Sequence, residues 1–211
     1  MIAREEGLLA ALWSVLRKPV SPEFRSTFVF GWMIVILFVL QIVTGILLSL
    51  YYDPRPAAAN ESVQLIMRDV SSGWLIRGLH HWSSTAILIL ALCQLLRVFV
   101  VGAFRRSPTS WYLGCLLLVF VFAQAFTGAL LPWDNQAYWW ANRALESLES
   151  IPYIGQTLLS FLNGGPEVTD HTLSRAHALH VMVFPWLGLV AVAVNVWLLA
   201  RQWTRQRGAE R

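Results

Sequence analysis

Four long apolar runs, at about residues 27–51, 75–101, 111–131 and 178–200, organise the chain. Each is long enough to cross a hydrocarbon layer of ~30 Å as a helix with modest tilt. The second run carries the most informative pattern. It holds no charge between Arg77 and Arg97, yet it has His80 at its start and Gln94 near its end. Fourteen residues of helix rise roughly 21 Å and return to within about 40° of the same face. The two polar groups therefore share one stripe, one near each membrane surface. Polar side chains at membrane depth usually face a bundle interior and often mark function. Ahead of the first run, Ile2, Leu8, Leu9, Leu12, Trp13 and Leu16 recur at helical spacing beside Arg4, Glu5, Glu6 and Arg17. That pattern predicts a short helix lying on the membrane surface. The expected fold is all-α: a lead-in with an interfacial helix over 1–26, a four-helix membrane domain over 27–202 and a basic tail over 203–211.

Composition supports this reading. Hydrophobic residues make up 56% of the 211 and charged residues 13%, and the mean hydropathy is +0.54. That is too apolar for an ordinary soluble domain. A net charge of +4 points towards nucleic acid in a soluble protein, but here the bases lie outside the apolar runs and report topology. The two ends and the short loop Gly102–Ser110 hold eleven bases (Arg4, Arg17, Lys18, Arg25, Arg97, Arg105, Arg106, Arg201, Arg205, Arg207, Arg211) against four acids. The two long loops hold five bases against eight acids. The positive-inside rule then predicts cytoplasmic termini, with both long loops on the opposite, periplasm-like side. Cys93 and Cys115 lie inside apolar runs, and no CxxCH motif for covalent haem attachment is present. The amino-terminal stretch has neither the apolar core nor the small-residue cleavage site of a signal peptide.

His80 opens the second run and His180 the fourth, so alternating spans place both near the periplasm-like surface. Two histidines on facing helices at one depth can ligate a haem iron from both sides; two unrelated interfacial histidines are the plainer account of the pair taken alone. Gly31 and Gly45 in the first run, and Gly114 and Gly128 in the third, repeat the fourteen-residue spacing of His80 and Gln94. Glycine lets a flat ring approach a helix backbone, although it also serves plain helix packing in membranes. Arg77 and Arg175 precede the two histidines by three and five residues, placed to meet an anionic group such as a haem propionate. His177, one turn before His180, competes with it as a ligand. His81 and His171 are expected to be interfacial and loop residues. The many tryptophans fit an interfacial belt.

GlnIleValThrGly (41–45), LeuIleArgGlyLeuHisHisTrpSer (75–83), PheThrGlyAlaLeuLeuProTrpAspAsn (126–135) and ThrLeuSerArgAlaHisAlaLeuHis (172–180) resemble the signatures of the cytochrome b family. YYDPRP after the first run and IPYIGQTLLSFLNGG in the last loop resemble its split, bf-type form, whose amino-terminal subunit has four helices. The resemblance covers roughly residues 20–202. It implies a four-helix bundle with two b haems, a quinol-oxidation site on the periplasm-like side, a Rieske or cytochrome c-type partner and a three-helix second subunit in a multisubunit, sometimes dimeric, complex. It favours His180 over His177. It also places Trp133, Asp134, Asn135 and Tyr138 near the quinol site.

The chain departs from that pattern on the cytoplasmic side. The resemblance puts the second pair of histidines at Gln94 and at Val194 or Asn195, and the thioether cysteine of a further haem at Val29. None of these is a histidine or cysteine. The expectation is therefore one non-covalent haem b, ligated by His80 and His180, with Arg77 and Arg175 on the propionates and Gly45 and Gly128 against the ring. Gln94, Asn195, Gly31 and Gly114 mark the position of the missing second haem, and the two amides are expected to hydrogen-bond each other, a backbone carbonyl or water. The expected function is electron transfer between quinone and a redox partner in a membrane complex. A redox-silent anchor that keeps the scaffold is the alternative, against which the two histidines and two arginines argue. A transporter is a weaker rival, since no broken helix or internal repeat is evident.

Overall fold

The computed structural model describes residues 22–105, 107–164 and 167–209. The surface helix expected over 2–16 lies outside the described residues. Eight α-helices follow one another: α1 (Pro22–Ser49), α2 (Pro56–Arg68), α3 (Gly73–Val100), α4 (Pro108–Leu130), α5 (Asn135–Glu149), α6 (Gly155–Asn163), α7 (Asp170–His177) and α8 (Phe184–Ala209). No strand occurs among the described residues, so the all-α expectation holds. A π-helical segment, Ala178–Val183, joins α7 to α8 without a break. Stretches long and apolar enough to cross a membrane are Val29–Ser49, Gly73–Val100, Pro108–Leu130 and Asp170–Leu198. The fourth therefore begins eight residues before the apolar run at 178, because a reciprocal cap starts the helix early. The Thr169 side chain accepts from the backbone of Thr172 while the Thr172 side chain serves the backbone of Thr169. The same helix continues to Ala209, so most of the expected 203–211 tail is helical.

In the bundle α1 packs on α3, α3 on α4, and α4 on α8. Ile36, Leu116 and Trp186 are each more than 60% exposed, apolar side chains on the outside of a bundle made for lipid. Gly188 of α8 lies against Phe120 of α4 and Phe38 of α1, leaving no room for a side chain at mid-depth. Phe120 also meets Phe184 edge-on, with ring centroids 5.3 Å apart.

At the His80 end, short helices form a cap. Pro56 stands at a helix start, where a missing N–H costs nothing. Asp134 caps α5 by accepting from the Ala137 amide at 2.8 Å. Gly164, at φ 81°, ends α6 in the left-handed conformation that glycine adopts without strain. The Tyr52 hydroxyl donates to the Leu131 carbonyl at 2.8 Å, and the Asn60 amide donates to the Pro132 carbonyl at 3.0 Å. These two bonds tie the first long loop to the exit of α4. Fully buried Asn163 donates to the Glu167 carbonyl and accepts from Thr172, fastening α6 to α7. Burial, then the nearby Asp53 charge, raises the Tyr52 hydroxyl above its ordinary range, so it stays a neutral donor.

The cap also depends on close backbone approach. A Cβ on Gly73 would lie 2.0 Å from the Ile66 carbonyl oxygen, which belongs to backbone and cannot rotate away. Gly73→Ala should therefore destabilise the protein by about 1–3 kcal/mol. Thermal unfolding in detergent reads this as a lower midpoint, and an unchanged midpoint would contradict the packing described.

Candidate functional site

Two imidazoles meet inside the bundle. His80 sits in the second turn of α3, and His180 sits in the π-helical segment. Their ring centroids are 6.2 Å apart and their planes 75° to one another. π-Helical turns within α-helices are frequent at functional sites, and this one carries His180.

The hydrogen bonds around the rings decide which nitrogen is free. The Thr44 hydroxyl donates its single proton to the Leu40 carbonyl at 2.7 Å. It must therefore accept from His80 Nδ1, 2.9 Å away. His180 Nδ1 lies 3.0 Å from the Gln124 backbone carbonyl, which can only accept. Thr127 stands 3.3 Å from the same nitrogen, its own proton directed to the carbonyls of Ala123 and Gln124. Both Nδ1 atoms thus carry the proton, and both Nε2 atoms present a lone pair. Neither Nε2 has a hydrogen-bond partner among the described residues.

Two glutamines complete the frame. The Gln41 amide donates to the His80 carbonyl at 2.5 Å and to the Ser83 hydroxyl at 2.6 Å. The Gln124 amide donates to the His180 carbonyl at 3.0 Å. The cradle is thus duplicated: Gln41-Ile-Val-Thr44-Gly45 on α1 holds His80, and Gln124-Ala-Phe-Thr127-Gly128 on α4 holds His180. Gln41, Thr44, Gln124 and Thr127 were not among the residues singled out from sequence. The signal was present as a repeated Gln-x-x-Thr-Gly.

The glycines have a more direct reason than access for a flat ring. A Cβ on Gly45 would lie 3.2 Å from His80 Cε1, and one on Gly128 only 2.6 Å from His180 Cε1. Each glycine makes room for the imidazole itself. His177, the rival ligand, turns elsewhere: its ring stacks on Tyr52 at 5.6 Å and 25°. His81 packs edge-on to Trp82 at 5.4 Å, and His171 is exposed at the start of α7.

The two arginines have contacts within the cap. Arg175 Nη1 donates to the carbonyls of Ser160, at 2.6 Å, and Phe161. The last carbonyls of a helix lack partners and attract cations, and α6 ends there, so this donor is already engaged. Arg77 Nη1 reaches the Met67 sulfur at 3.6 Å. At the other end of the bundle, Gln94 lies on α3 and Asn195 on α8. Gln94 Oε1 is buried and has no hydrogen-bond partner among the described residues. α3 and α8 each pack on α4. A Cβ on Gly114 would meet Leu95 at 3.3 Å, and one on Gly31 would meet nothing within 4 Å. Cys93 and Cys115 are both free thiols.

Trp133, Asp134, Asn135 and Tyr138 do converge. With Asn60, Val168, Thr169 and Asp170 they line an open cavity of about 520 Å³ in the cap. Trp133 holds a left-handed φ of 48° immediately before the α5 cap, uncommon for a bulky residue.

The donor set suits a metal taken from two opposite sides. No cluster of three or more His, Cys, Asp or Glu occurs among the described residues, which leaves two imidazoles as the protein's contribution. Two metal–imidazole bonds of about 2 Å, plus the half-widths of two rings at ~1.2 Å each, span roughly 6 Å, close to the 6.2 Å observed between centroids. Ligating histidines characteristically donate the other N–H to a carbonyl or hydroxyl, as both do here.

Comparison with known proteins identifies the family. A family model described as cytochrome b/b6/petB matches residues 15–203. A cytochrome b6 from Heliomicrobium gestii is 40% identical over 169 residues, covering 80% of this chain and 79% of the relative. One from Acaryochloris marina (strain MBIC 11017) is 32% identical over 189 residues, covering 89% and 88%. Among solved structures, a chain of a hyperthermophilic respiratory Complex III superposes with a TM-score of 0.75 at 25% identity, covering 91% of this chain. This chain spans only 55% of the length of that one. The matched family model, the relatives and the shared bundle together establish that the chain belongs to the cytochrome b/b6 family.

Proposed function

We propose that the chain binds one haem b through Nε2 of His80 and Nε2 of His180, and that it exchanges electrons with a quinone on the periplasm-like side. The broader function is that of a b-type cytochrome subunit, integral to the membrane, in a quinol-linked electron-transfer complex. The observation that carries the finer reading is the pair of imidazoles with both Nδ1–H groups engaged and both Nε2 lone pairs free. When bound, the haem supplies a one-electron carrier whose potential responds to ligands, hydrogen bonds and burial.

The protein's part is orientation. Thr44 and the Gln124 carbonyl hold the tautomers; Gln41 and Gln124 hold the backbones of the two ligands; Gly45 and Gly128 admit the rings. Arg77 and the unengaged nitrogens of Arg175 are the proposed partners of the haem carboxylates. The cavity lined by Trp133, Asp134, Asn135 and Tyr138 is the proposed place for a quinol headgroup. Its volume lies in the range of small-molecule sites, and Asp134 and Tyr138 offer an acceptor and a donor.

The charge distribution supports cytoplasmic termini, which puts His80 and His180 on the periplasm-like side. At the Gln94 end, neither Gln94 nor Asn195 offers an imidazole. A single haem gives this chain no second carrier across the bilayer. Onward transfer then depends on a partner on the same side, of Rieske or cytochrome c type, or on cofactors in another subunit such as a three-helix cytochrome b half.

Replacing His80 or His180 with Ala should abolish the low-spin b-type absorbance of the purified protein, while His177→Ala should retain it. A low-spin spectrum surviving in His180→Ala and lost in His177→Ala would assign the ligand to the wrong residue. Gly128→Val should displace the His180 ring and cost about 1–3 kcal/mol of stability. Haem retention and thermal midpoint report this together; wild-type values in both would remove Gly128 from the site.

A further inference from the structure

The duplicated cradle is not symmetric where it matters electronically. His80 Nδ1 has one acceptor, the Thr44 hydroxyl at 2.9 Å, and no backbone carbonyl among the described residues accepts from it. His180 Nδ1 has the Gln124 carbonyl at 3.0 Å, with Thr127 a secondary contact at 3.3 Å. A carbonyl in the middle of a helix cannot be removed by changing a side chain. A hydroxyl can. Thr44 is 3% exposed and Thr127 6%, so water is poorly placed to substitute for either.

An N–H that donates to a good acceptor leaves its imidazole a stronger electron donor through the other nitrogen. A stronger axial donor stabilises the oxidised iron and lowers the midpoint potential. We propose that Thr44 is a positioning residue that sets the donor strength of His80, and that it is the one side-chain hydroxyl through which this protein adjusts the potential of its haem. Thr127, its counterpart in the repeat, lacks that control because the Gln124 backbone has taken it over. This rests on the reading that His80 and His180 are the axial ligands. If that reading is wrong, the low-spin b-type spectrum survives in His80→Ala or His180→Ala, a result independent of any shift in the Thr44 variants.

The test is a potentiometric titration of the purified full-length protein, in its complex, followed at the b-type absorbance. Four forms are compared: wild type, Thr44→Val, Thr44→Ser and Thr127→Val. Valine keeps the volume and removes the acceptor; serine restores the hydroxyl. Thr44→Val should keep a low-spin haem and titrate at a higher potential. Thr44→Ser should titrate at or near the wild-type value, and Thr127→Val should shift clearly less than Thr44→Val. Should Thr44→Val fail to accumulate, Thr44→Ala removes the same acceptor without branching and should shift in the same direction. An unshifted potential in the hydroxyl-free Thr44 variant overturns the proposal. So do equal shifts at Thr44 and Thr127, or a Thr44→Ser variant that shifts as far as Thr44→Val.

Discussion

A histidine at membrane depth must find an acceptor for its one N–H in a layer without water, and the bundle is arranged around meeting that need twice. An unpaired polar group costs far more in hydrocarbon than in water. Each acceptor is supplied by a neighbouring span, α1 for His80 and α4 for His180. Each neighbour must also come close enough for its glycine to lie against the imidazole. The pairing of α1 with α3, and of α4 with the π-helical segment and α8, follows from those two contacts as much as from apolar packing. With Nδ1 committed on both sides, the two Nε2 atoms are left as the reactive positions.

The cap serves the same end from outside the membrane. Tyr52 and Asn60 reach from the first long loop to the two carbonyls that precede Trp133. Arg175 fastens the end of α6 to α7, the helix that leads directly into the His180 segment. The cavity beside Trp133 and Asp134 is therefore held by the same contacts that place the fourth span. A bulky residue at positive φ survives where its surroundings over-determine it, and Trp133 is such a residue.

Much of this was legible in the sequence because it depends on periodicity and spacing. The four spans, the stripe that carries His80 and the convergence of Trp133, Asp134, Asn135 and Tyr138 follow from apolar runs, helical geometry and family-like motifs. The unread parts depend on three-dimensional competition. The spacing of Arg175 from His180 does not reveal that its Nη1 also reaches the Ser160 and Phe161 carbonyls at the end of α6. The glycine spacing does not reveal that the imidazoles of His80 and His180 lie against Gly45 and Gly128. The Gln-x-x-Thr-Gly repeat was in plain view. It is too short to register as a repeat until the structure shows both copies doing one job.

The account turns on a single haem held between His80 and His180, in a family whose pattern leads one to expect two. The most direct measurement is haem content per copy of this chain in the intact complex, combined with a redox titration of the b-type absorbance. One low-spin b haem per chain, titrating as a single one-electron step, is the predicted result. Two b haems bound by this chain, or none, would contradict it.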